Sequence, residues 1–140
     1  MLKHNSLRNQ SGMLLLEGMI AILIFTIGVL GVVGLQATVV KQVSDAKFRT
    51  DASMLANQLL GTMWVSDRTT LALQTHFNTG GDAYNTWKDR VTTTLPGVAA
   101  NPPTVAVSDA GVATITIQWL APSEAAGVSA HRHVVIAQIR

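Results

Sequence analysis

"SGMLLLEGMIAILIFTIGVLGVVGLQ", Ser11 to Gln36, is almost wholly apolar, yet one carboxylate, Glu17, sits near its start. The apolar run goes further: Met13 to Val40 is 28 residues with a single charge. As a helix it would be about 42 Å long, enough to cross a ~30 Å hydrocarbon core with residues left over. Glu17 does not suit a plain anchor, because a carboxylate in hydrocarbon costs about 2.5–3.5 kcal/mol even on lenient insertion scales and so implies a partner. No cation lies within one helical turn of it. The partner must come from outside the segment or from a charge made by processing.

The 140 residues suit one small domain plus an extra segment. A hydrophobic fraction of 48% and a mean hydropathy of +0.31 exclude a disordered chain. The charged fraction, 13%, is low for a globular protein. The formal charge of +2 resides in Lys3 and Arg8, which precede the apolar run; the ten basic residues less these two leave eight, against eight acidic. No basic face remains to attract nucleic acid, and none is expected as a direct partner. There is no cysteine, which removes disulfides and thiol chemistry. Lys3, His4 and Arg8 lie before the run, and Lys41 and Lys47 after it with Asp45 and Asp51 interleaved. The positive-inside rule keeps the N-terminus cytoplasmic and exports the remainder. A cleaved secretory signal fits poorly, since its apolar region is ~7–15 residues ending at a small-residue site, and this run is longer with no clear A-x-A.

Gly12 followed by "MLLLEGMIAILIF" resembles the type IV prepilin signal, which a dedicated membrane peptidase cuts after the glycine, methylating the new N-terminus. The resemblance implies a leader peptide over residues 1–12, a transmembrane and assembly helix over 13–36 and a periplasmic pilin domain over 37–140. It makes Gly12 the cleavage residue, Met13 the N-methylated first residue and Glu17 an assembly residue that pairs with the N-terminal amine of a neighbouring subunit. The chemistry agrees. Cutting at Gly12 creates an ammonium at Met13, and Met13 and Glu17 are i and i+4 neighbours. The carboxylate can then be satisfied within its own chain before assembly and between chains afterwards. Met13 departs from the phenylalanine more common in that family.

"TIGVLGVVGLQATVVKQ" and "FRTDASMLANQLLGTMW" are similar to the PilV-type minor pilins, the type IV pilus modification proteins, over residues 11–65. That resemblance implies a bacterial inner-membrane protein that moves into a pilus and helps initiate or cap its assembly. The implied partners are the membrane, the prepilin peptidase, and other minor pilins and the major pilin through helix packing. No cofactor and no small-molecule substrate are implied. Motility, adhesion and DNA uptake share this architecture.

Gly28, Gly31 and Gly34 recur every three residues. Each costs ~1 kcal/mol against alanine in a soluble helix. They read as a close-packing stripe, as a point where the helix can unwind on entering a filament, or as the ordinary glycine content of membrane helices. No proline occurs before Pro96.

The helix is expected to continue to about Val65. Phe48, Ala52, Leu55, Leu59 and Met63 form an amphipathic stripe, with Asp45 and Asp51 on the polar side and Val40, Val43, Lys47, Thr50, Met54 and Ala56 mixed. Residues 66–82 are poor in pattern, and "NTGGD" reads as a loop. A short helix is expected from Ala83 to about Leu95, with Tyr84, Trp87, Val91 and Leu95 on one face and Pro96–Gly97 ending it. "TVAVS", a "DAG" turn and "VATITIQW" predict a hairpin whose second strand turns Ala113, Ile115, Ile117 and Trp119 to one side. After a polar loop over 121–129, "HRHVVIAQIR" closes the chain as a third strand. The fold class expected is α+β and pilin-like: a long N-terminal helix packed on an antiparallel sheet of three or four strands.

Other constellations carry less. His131 and His133 would share a strand face, and with His76 could bind zinc, but no nearby carboxylate or cysteine completes a set. No nucleophile elbow and no phosphate loop occurs, and no enzyme activity is expected. Trp64, Trp87 and Trp119 read as core anchors. The functions in competition are a minor pilin, a minor pseudopilin of a type II secretion system, an adhesive or DNA-binding tip subunit, and an unprocessed periplasmic anchor.

Overall fold

A computed structural model describes residues 10–122, 124 and 127–140. Lys3, His4, Arg8 and most of the expected leader lie outside the described residues, as does part of the expected loop over 121–129. The elements are α1 (Gln10–Val65), α2 (Thr70–Phe77), α3 (Asp82–Thr94), a 3-10 turn (Val98–Ala100), β1 (Thr104–Val107), β2 (Val112–Trp119) and β3 (His131–Gln138). The chain divides into two units, one up to Gln42 and one from Val43 to Arg140. The long N-terminal helix followed by a small antiparallel sheet is a pilin-like α+β architecture.

Leucine and valine are the commonest residues of α1, and although valine and its six glycines are weak helix formers, no proline interrupts its backbone bonding. It is long and apolar enough to cross a membrane. Within the second unit its stripe is the expected one: Ala52, Leu55, Leu59 and Met63 are buried, and Phe48 packs half-buried beside them. Three assignments are corrected. Ala56 is fully buried rather than mixed. Asp45 and Asp51 are half-buried rather than on the open polar side. Asp45 is three residues before Phe48 and seven before Ala52, and so lies along the stripe itself. Trp64 is 50% exposed and anchors nothing, because it follows Met63 by one residue and is turned about 100° off the stripe.

Residues 66–82 contain a helix that the patterning does not announce. Asp67 accepts the Thr69 N–H, and Thr69 accepts the Ala72 N–H as N-cap of α2. Those side chains meet donors that a helix start leaves without partners. Two turns then bury Leu73 and Phe77. α3 buries Tyr84, Trp87 and Val91, and Leu95 after its end, as the spacing predicts. The Trp87 indole N–H donates to the Leu55 carbonyl of α1 at 2.9 Å, and the Tyr84 hydroxyl to the Pro103 carbonyl at 2.7 Å. Burial raises the Tyr84 phenol above its usual 10.0. Gly97, at φ +72°, makes the turn after α3.

The sheet is antiparallel in the order β1-β2-β3. Val105 faces Ile115 across the hairpin, and Ile115 faces Val135 on the other side. Ala113, Ile115, Ile117 and Trp119 are buried, as the alternation predicts. The corresponding residues of β3, His131, His133, Val135 and Ala137, are only half-buried.

Candidate functional site

Gly12, Met13 and Glu17 all lie in α1 and are exposed. Helical geometry puts the Glu17 side chain one turn after Met13, on the same face. No described residue of the chain makes a hydrogen bond or ion pair to the Glu17 carboxylate. The flanking Leu14, Leu15, Leu16, Met19 and Ile20 are exposed as well. The result is a lone acid set in an apolar surface, one turn beyond the peptide bond between Gly12 and Met13. Chemically this arrangement can hold a cation, and it supplies no nucleophile–base pair.

Gly28, Gly31 and Gly34 lie further along the same helix, and a Cβ added at any of them meets nothing within 4 Å. No close contact among the described residues requires glycine there. Thr26 and Thr38 turn their hydroxyls back onto the carbonyls of Ile22 and Gly34, which satisfies them inside the helix.

The histidines do not come together. His76 of α2 bonds Asp82 at the start of α3, Nδ1 to Oδ1, at 2.7 Å. That bond and the Ala83 N–H hold the Asp82 carboxyl below its usual 3.8. His131 bonds the Glu124 carboxylate at 2.7 Å and stacks on Trp119 with ring centroids 5.6 Å apart. The other Glu124 oxygen accepts the Ala121 N–H at 2.9 Å, so the clasp ties the loop to β3. Each of His76 and His131 thus has one carboxylate beside it. His133 points to the same side as His131, with its Nε2 buried and without a hydrogen-bond partner. Among the described residues, no three histidine, cysteine, aspartate or glutamate side chains gather as a metal set. Trp87 and Trp119 are buried in the core.

One polar group that sequence reasoning missed guards the sheet. The backbone N–H and C=O of Val105 and Val107 point away from β2. Thr79 takes both groups of Val105, its hydroxyl accepting the N–H at 2.9 Å and its own N–H donating to the C=O at 3.0 Å. Asn78 accepts the Val107 N–H at 2.7 Å, and Gln74 donates to the Val107 C=O at 3.1 Å. "NT" before a glycine pair signalled a loop; nothing local signalled what that loop would bond.

No protein family, curated protein or solved structure matches the chain.

Proposed function

We propose that the chain is a minor pilin that helps initiate or cap a type IV pilus after its leader is cut at Gly12 and Met13 is N-methylated. The observation that carries this is the solitary Glu17 carboxylate, one helical turn beyond Met13, on an apolar helix long enough to span a membrane. Cleavage after Gly12 supplies the missing cation. In the membrane the Met13 ammonium and Glu17 neutralise each other within one chain. In the fibre the same carboxylate receives the ammonium of a neighbour, so subunits lock in register only when both charges are buried together. The glycine stripe, where an added Cβ would meet none of the described residues, offers neighbouring helices a close approach. The N-terminus stays cytoplasmic and the unit from Val43 onward is exported, with the prepilin peptidase, other minor pilins and the major pilin as partners.

The test is the mass of the mature N-terminus in protein from the membrane fraction. A chain beginning at N-methylated Met13 supports the reading. A chain that keeps residues 1–12 overturns it and leaves an ordinary anchor.

A further inference from the structure

The two edges of the sheet are treated differently. The β1 edge is sealed at Val105 and Val107 by Thr79, Asn78 and Gln74. The β3 edge is open. The Ile139 N–H bonds back to the Gly111 carbonyl on the β2 side. By alternation the N–H and C=O of Ala137, Val135, His133 and His131 also face β2, and those of Arg132, Val134, Ile136 and Gln138 face outward. None of those outward groups bonds a described residue. The side chains of the same four residues lie on the face of the sheet away from the core. There Val134 is 41% exposed and Ile136 67%. They continue a β-branched surface, with Thr116 beside Val134 and Thr114 beside Ile136. Charge singles out this strand too. Residues 131–140 carry two arginines and two histidines and no acid, although the chain from residue 13 onward nets zero. Glu124, beside the start of the strand, is already held by His131 and the Ala121 N–H. The Arg132 side chain is exposed and bonds no described residue.

A second copy of this chain does not fit the edge. Its β1 flank is taken at Val105 and Val107. Its β3, meeting this one about a two-fold axis normal to the sheet, would turn the two α1 helices opposite ways, whereas a shared membrane holds them the same way. We propose that the β3 edge takes an extended segment of a different protein as a fourth, antiparallel strand, selected for an acidic and β-branched sequence. Outward groups pair only with outward groups, which fixes the partner side chains that share a face with Arg132, Val134, Ile136 and Gln138. Taken from the partner's N-terminus, those positions are polar, apolar, apolar and acidic, at every second residue. The apolar pair covers Val134 and Ile136, and the carboxylate meets the unpaired Arg132. Backbone bonds supply the affinity and these side chains the selection. The exclusion of a second copy rests on α1 spanning a membrane; the remainder does not depend on leader processing or on Glu17.

The probe is a fluorescent, C-terminally amidated peptide, Thr-Ser-Val-Thr-Val-Ser-Glu, titrated against the full-length protein in detergent at low salt and followed by anisotropy. A second peptide ends in Lys in place of Glu. The acidic peptide is expected to bind saturably, and the basic one about threefold to tenfold more weakly. Arg132→Glu is expected to invert that order, whereas Arg90→Glu, on an exposed arginine of α3, leaves it unchanged. Ile136→Pro removes an N–H that the single chain does not use and is expected to weaken both peptides about tenfold. Inversion of the order requires a folded edge, so the Arg132 variant decides the matter should the proline variant not fold. Absence of saturable binding, equal binding of the two peptides, or an order that Arg90→Glu changes as much as Arg132→Glu overturns the proposal. Self-association of the chain that Ile136→Pro abolishes, with no uptake of peptide, overturns it in favour of a second copy.

Discussion

Glu17 has no partner among the described residues, and a carboxylate in an apolar setting needs one. Glu17→Ala removes that need and with it the contact that sets subunit register. Surface fibres counted by electron microscopy are expected to fall about tenfold or more, since a lost buried charge pair costs several kcal/mol. The variant is expected to stay at wild-type levels in the membrane fraction, because it leaves the apolar helix intact. Asp82 offers a second test. Its folded carboxyl titrates below the usual 3.8, held down by His76 and the Ala83 N–H. The stability it contributes is whole above that value and fades as the pH falls through and below it. The gap in melting temperature between wild type and Asp82→Asn is therefore expected to be small near neutrality, as suits an exposed pair, and to close in acid. At this scale the sequence was readable where chemistry is local. Glu17 stood out against its neighbours. Asp82 did not, because its partner is six residues away across a turn. Trp64 misled because aromatic size suggests burial, and a shift of one residue along a helix undoes it.

Element ends decide how the pieces meet. Gly97 stands at φ +72°, and a Cβ there would lie 2.9 Å from the Leu120 Cβ and 3.0 Å from its N. Gly97→Ala is expected to cost about 1–3 kcal/mol, combining a strained backbone with a clash. Thermal unfolding followed by near-UV circular dichroism checks this; an unchanged transition would show that the turn relaxes. β2, β3 and α3 were legible because their exposure follows a period of two or three to four residues over eight residues or more, and the four-residue β1 through the turn that joins it to β2. α2 was not, because two turns with only Leu73 and Phe77 buried are too few to define a period. Its start was written in Asp67 and Thr69, whose side chains cap it. The half-buried Asp45 was hidden by its charge, although its position along α1 placed it with the apolar stripe.

For the whole molecule, the apolar helix implies firm retention by a membrane. The chain is expected to remain in the pellet through high-salt and alkaline carbonate washes and to be released by detergent; release by carbonate would count against a spanning helix. The α+β layout was recoverable from patterning, since long apolar helix, amphipathic continuation and alternating strands follow one another along the chain. What one strand edge does about its spare hydrogen bonds was not, because that depends on residues 26 to 33 positions away in sequence. The seal that Gln74, Asn78 and Thr79 place on β1 has a consequence for stoichiometry. A sheet with two open sides can recruit copies without end, whereas one that is stoppered on a single side can be extended only once. Were two copies to meet at β3, both outer flanks would be β1, where the outward groups of Val105 and Val107 are already taken. The growth reaction terminates at its first step, which makes this sheet a poor seed for runaway aggregation even though half of its rim is bare.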